Sequence, residues 1–143
     1  MSENMYRYFG DAAFQQRADR WQELVATILP VANYLEVQQL FAAQLPAPLR
    51  LAGVPVPERL ARVYGATHRF ALTPEVAVFC QQRPYSDWQN SAFEDPAFFL
   101  NDTLLLGSIS HEDAVVLRLS AVERQQLNAT GYDFWCEWPL DAQ

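Results

Sequence analysis

The stretch from Thr103 to Glu123, TLLLGSISHEDAVVLRLSAVE, decides the reading of the fold. Thr103 to Ser110 carries Leu104, Leu105, Leu106 and Ile109 and reads as a buried strand. His111-Glu112-Asp113 reads as a turn, and Ala114 to Leu119 as a second β-prone run, so the two form a hairpin. Ser120, with Glu123 three residues on, is a capping box. The hydroxyl accepts from a first-turn N–H while the carboxylate reaches back to the cap N–H. The helix it opens is expected to run to about Ala129, with Gly131 supplying a left-handed end. Tyr132 to Trp138 then reads as a last strand.

Upstream, Thr67 to Leu72 reads as a strand. Val76 to Gln82 has two readings. Thr73-Pro74-Glu75 is a good helix start, with a cap, a proline in the first turn and an acid beside it. The same residues also suit a hairpin turn, and the β-branched and aromatic Val76, Val78 and Phe79 tip the expectation towards a strand. Arg83 to Asp102 holds Pro84, Asp87, Asn90, Ser91, Asp95, Pro96, Asn101 and Asp102, all turn formers, and reads as a long irregular loop.

The N-terminal third reads as helical. Phe14, Ala18, Trp21, Val25 and Ile28 repeat at helical spacing within Asp11 to Leu29. Val31 to Leu45 gives a second apolar stripe, with Pro30 at the junction. Pro46, Pro48, Gly53, Pro55 and Pro57 mark an extended connector, and Pro57-Glu58 opens a short helix closed by Gly65. Helices first and strands later predict an α+β fold: an N-terminal helical hairpin, then a small, largely antiparallel sheet with one inserted helix at about Ser120–Ala129. One domain is expected, with a helical part at about 11–45, the connector at 46–57 and the sheet-containing part at 58–138.

The 143 residues include 17 acidic and 10 basic side chains, for a net charge of −7. Half are apolar, enough for a packed core and against a disordered chain. The basic residues are all arginine, a usage expected of a GC-rich bacterial gene. A net negative chain repels phosphate backbones, so nucleic acid is not an expected partner. No apolar run is long enough to span a membrane, and the first residues lack a basic-then-apolar leader pattern, so the expected compartment is the cytoplasm. No phosphate loop, zinc spacing or nucleophile turn is visible, and no cofactor or metal is expected.

Three groups of residues compete as sites. His68, His111, Glu112 and Cys80 or Cys136 are the residues an unrecognised enzyme site would use. The plainer reading is a polar turn and two buried thiols. The aromatic and acidic stretch holding Tyr85, Asp87, Trp88, Glu94 and Asp95 is the preferred partner-binding surface, because interfaces concentrate aromatics and acids steer a basic partner. Asp133, Trp135 and Glu137 share one face of the last strand and join that set; an exposed, solvated edge is the alternative. Phe14, Trp21, Val25 and Ile28 would be the dimer face of an oligomeric assembly, chaperone or adaptor protein.

In size, acidity and lack of site motifs the chain resembles, in general format, the immunity proteins that neutralise bacterial toxins in the producing cell. That resemblance implies a basic toxin or effector as the partner, with acidic side chains covering its active surface. It carries no motif and places no residue.

Overall fold

The computed structural model describes residues 4–9, 19–57, 66–89, 91–109, 114–134 and 136–138. Eight strands make one sheet: β1 (Asn4–Phe9), β2 (Tyr34–Gln39), β3 (Gly53–Val54), β4 (Ala66–Ala71), β5 (Phe93–Leu100), β6 (Thr103–Ile109), β7 (Ala114–Leu119) and β8 (Cys136–Trp138). The helices are α1 (Asp19–Ile28), α2 (Ala47–Arg50), α3 (Pro74–Gln82), α4 (Tyr85–Gln89) and α5 (Ala121–Ala129). The strand order is β3-β4-β2-β5-β6-β7-β1-β8, and every pairing is antiparallel. The fold is α+β.

The segment that decided the sequence reading forms the expected elements. β6 and β7 pair from Ile109 opposite Ala114 to Leu106 opposite Leu117. The Ser120 hydroxyl accepts from Glu123 N at 3.2 Å, and Glu123 Oε1 accepts from Ser120 N at 2.9 Å. Gly131 has a φ of 109°, which only glycine adopts without strain.

Four expectations need correction. The second arm of the expected hairpin, Val31 to Leu45, contains β2 and not a helix. Its polar residues Glu36 and Gln38 are buried, so what looked like the wet face of a helix is the second face of a strand. The first arm is helical over Asp19–Ile28, and its residues 11–18 lie outside the described residues, as does the helix expected from Glu58 to Gly65. Val76 to Gln82 is helical. Thr73 Oγ1 accepts from Val76 N at 3.3 Å, and Val76 and Cys80, one helical turn apart, point into the core, so period outweighs β-propensity.

The stretch from Arg83 to Asp102 is ordered as α4 and β5, not as a loop. Its turn formers have local jobs. Asp95 sits at φ 57° where the β2–β5 register shifts, and Pro96, with no N–H to offer the ladder, follows it in that bulge. Asn101, at φ 54°, makes the two-residue turn between Leu100 and Thr103. The Pro-rich connector is also not wholly extended, because Ala47–Arg50 make one helical turn that buries Leu49.

The two faces of the sheet differ chemically. Leu35, Phe70, Phe98, Leu106 and Leu117 line the face that the helices cover. Trp21 of α1 is fully buried there, its ring 5.4 Å from Tyr85 and 6.3 Å from Phe98. Trp21 and Val25 therefore pack within the chain and are not available as a dimer face. The opposite face is also buried, and where β2 pairs with β4 it is polar. Arg69 Nη1 donates to Glu36 Oε2 at 3.1 Å and to Asp102 Oδ1 at 3.3 Å, and its guanidinium lies 4.1 Å from the Tyr34 ring. Beside it, Thr67 donates to Gln38 at 3.0 Å.

Arg69→Met leaves the buried Glu36 without that charge partner, and should cost about 3–5 kcal/mol in urea unfolding. The double replacement Glu36→Leu with Arg69→Met should recover much of that loss, because neither charge then remains to be desolvated. Equal losses for the single and the double replacement would show that the pair is not what holds this face.

Candidate functional site

The structure divides the residues expected to bind a partner. Tyr85 and Trp88 are core residues, 4% and 1% exposed. They are the inward side of α4, with Trp88 edge-on to Phe79 at 6.1 Å. Neither is available to a partner. Glu94 is 6% exposed and lies opposite Gln38 on β5, and Asp95 is half-buried in the adjoining bulge, so this acidic pair is not a surface patch. Asp87 is exposed on α4, and Asp133 is exposed between the buried Tyr132 and Phe134. Trp135 lies outside the described residues. Glu137 belongs to β8, paired in register with Tyr6.

Asp87 and Asp133 therefore survive as surface acids, and both belong to the helix layer. The reason that layer is acidic lies in its arginines. Arg20 is buried, donates to the Gly131 carbonyl at 2.5 Å and lies 4.8 Å from the Tyr132 ring. Arg124 donates to the Phe134 carbonyl at 2.5 Å and lies 4.7 Å from the Tyr6 ring. Arg83 donates to the Asp87 carbonyl at 2.8 Å and stacks 4.6 Å from Trp88. Burial disfavours the charged form of Arg83 and lowers its pKa, while Asp87 opposes that shift. All three cations are turned onto main-chain carbonyls and aromatic rings, where a guanidinium finds both hydrogen bonds and a π face. Glu23, Asp87, Glu123 and Asp133 are exposed, although the Glu23 carboxylate also accepts from Tyr132 Oη and that of Glu123 from Ser120 N. Arg50, on α2 beside the β3 edge, is the exposed arginine of the described helices.

Within this layer, α1 and α5 bound a groove of about 340 Å³ over β7. Leu117 and Leu119 lie at its floor, Leu24 and Ile28 on the α1 side and Leu127 on the α5 side. Tyr132 Oη donates to Glu23 Oε2 at 2.7 Å, and Arg20 reaches Gly131, so the start of α1 is fixed against the end of α5. The groove is large enough for one or two apolar side chains, and its polar lining residues are Thr27, Arg118, Glu123, Gln126 and Thr130.

The residues considered for catalysis are placed differently. The Nε2 atom of His68 lies 2.8 Å from Gln39 Oε1, and its ring packs on Phe70 and Phe93. Cys80 is buried in α3, and its thiol is pushed up to about 12, chiefly by burial, against an opposing pull from Arg83. A thiol in that state is protonated at neutral pH and is a poor nucleophile. His111 and Glu112 lie outside the described residues, and Cys136 belongs to β8. Among the described residues no group of three His, Cys, Asp or Glu side chains is placed to hold a metal. A second pocket, of about 290 Å³, contains Tyr34, Arg69 and Asp102, but Arg69 is already engaged by Glu36, Asp102 and the Asn101 carbonyl.

No helix of the described residues is long and apolar enough to cross a membrane. No known family, no curated protein and no solved structure matches the chain.

The Cys80 thiol has a testable consequence. Folding raises its pKa from 9.0 to about 12, so its contribution is fully present below pH 9 and is lost as pH rises towards 12. Over that window the wild type should lose stability more steeply than Cys80→Ala, by up to about 1.4 kcal/mol per pH unit. Urea midpoints measured from pH 8 to 11 would read the difference. Parallel pH profiles would show that the thiol ionises freely in the folded protein.

Proposed function

We propose that the protein binds and sequesters a basic protein partner through its acidic helix layer, in the manner of a toxin-neutralising immunity protein. The observation that carries this reading is the sorting of charge in the layer. Arg20, Arg83 and Arg124 are spent on internal carbonyls and rings, while Glu23, Asp87, Glu123 and Asp133 face solvent. A net charge of −7 extends the field beyond the layer and favours encounter with a positive surface. The α1–α5 groove supplies what steering alone does not, an apolar recess for an anchoring side chain. The free Cys80 thiol fits a reducing compartment, and we place the interaction in the cytoplasm.

The test uses the immobilised protein and a native lysate of its source, eluted in steps of rising salt. The wild type should retain one basic protein in stoichiometric amount. The variant carrying Asp87→Lys and Asp133→Lys should retain none of it, with its melting temperature within a few degrees of wild type. Association should slow as salt rises, because exposed charges are screened beyond about 8–10 Å. Retention of the same protein by the variant, or of a partner that is not basic, would overturn the reading.

A further inference from the structure

Among the described residues β3 ends the sheet on one side, and a sheet edge exposes backbone donors and acceptors that can take another strand. The register of β3 shows which of its groups face out. Ala71 N donates to the Ala52 carbonyl at 2.9 Å, and Gly53 and Val54 lie opposite Phe70 and Arg69. In an antiparallel ladder the bonded pairs recur at every second residue, so Ala52 and Val54 turn their backbone groups towards β4. Leu51, Gly53 and Pro55 are then the positions that face away from the sheet.

Of those three, Gly53 alone has an N–H to give. The N–H of Leu51 turns back to the Leu49 carbonyl where α2 ends, and Pro55 has none. All three residues are exposed, Leu51 fully, so no described segment lies over this edge. Neither space nor conformation requires glycine at position 53. A Cβ there meets nothing within 4 Å, and the residue has the extended backbone of a strand, which any residue adopts. What glycine does here is weaken the strand, because it loses the most backbone freedom on pairing and has no side chain to pack.

We propose that Gly53 and Pro55 close this edge to strand addition, and that the strand they exclude is β3 of a second copy of this chain. Two copies related by a two-fold axis at Gly53 would place Leu51 of each against Pro55 of the other, at equal distances from the axis. The exposed Leu51 side chains favour that pairing by apolar contact. The backbone opposes it: the Gly53 pair can bond, but the ladder stops on both sides of it. This inference stands apart from the acidic-layer reading, and it explains what keeps the sheet from joining its copy in one continuous sheet.

The experiment reopens the edge in the full chain. Gly53→Thr with Pro55→Thr returns an N–H at position 55 and puts a β-branched side chain at both positions, into open space at 53. In sedimentation over a range of concentrations this variant should reach about twice the wild-type mass, because each copy has one such edge and the pairing closes at two. Hydrogen exchange at residues 53–55 should slow as it dimerises. Gly53→Lys with Pro55→Thr returns the same N–H but sets two lysines opposite each other at the axis, and should keep the wild-type mass. If the threonine variant melts well below wild type, Gly53→Thr with Pro55→Ala takes its place.

A folded variant with the N–H restored and threonine at position 53 that keeps the wild-type mass would overturn the proposal. Equal association of the threonine and lysine variants would also overturn it, by placing the contact elsewhere on the surface. A wild-type chain whose Gly53 amide becomes protected as concentration rises would show that the edge is paired and not closed.

Discussion

Trp21 is the contact on which the helix layer depends. It is fully buried, and it touches Phe98 of the central strand β5 and Tyr85 of α4 at once. Its neighbours complete the attachment. Arg20 ties α1 to the carbonyl of Gly131, and Glu23 takes the hydroxyl of Tyr132. One short helix therefore fixes the position of α4 and the end of α5. The groove and the arrangement of acids follow from that placement. A tryptophan of this kind buries about 150–250 Å² of mostly apolar surface, so the anchor is large relative to the net stability of a domain.

The sheet imposes a second constraint. β2 and β5 are neighbouring interior strands, and both of their faces are buried. One face meets the helices and is apolar. The other holds Glu36, Gln38, Arg69 and Glu94, all buried. A polar buried face is tolerated where its groups pair, and Arg69 is the group that joins several partners: Glu36 across the ladder, Asp102 and the Asn101 carbonyl in the β5–β6 turn, and the ring of Tyr34. The turn at Asn101 is held from its other side by Asn33, which bonds both its amide N–H and its side chain. The strained φ at Asn101 is thus supported by neighbours on two elements.

This two-sided burial explains where the sequence was legible and where it was not. The β6–β7 hairpin and the Ser120 capping box were readable because their signals are local: apolar runs, a turn, and a hydroxyl and a carboxylate three residues apart. β2 was not readable as a strand, because buried Glu36 and Gln38 imitate the solvent face of a helix until Arg69 and Thr67 are seen opposite them. The stretch from Arg83 to Asp102 misled for a related reason. Its turn formers serve a bulge at Asp95 and a turn at Asn101 inside ordered structure, which composition does not distinguish from a loop. At the candidate site, the acids Asp87 and Asp133 were legible as surface charge. Tyr85, Trp88 and Glu94 were not legible as buried, since spacing in α4 and β5 does not say which side meets the core. The inward arginines left only a faint trace, a set of aromatics that a guanidinium must meet through the fold.

The central claim is that the helix layer, and the α1–α5 groove within it, is the face that meets a basic partner. Hydrogen–deuterium exchange on the protein alone and in its captured complex tests this most directly. The account predicts slowed exchange confined to Arg20–Ile28, Tyr85–Gln89 and Glu123–Asp133, with the β3–β4 edge and the exposed Leu40–Phe41 segment unchanged. Protection concentrated on that edge or that segment, with the helices exchanging as in the free protein, would contradict it.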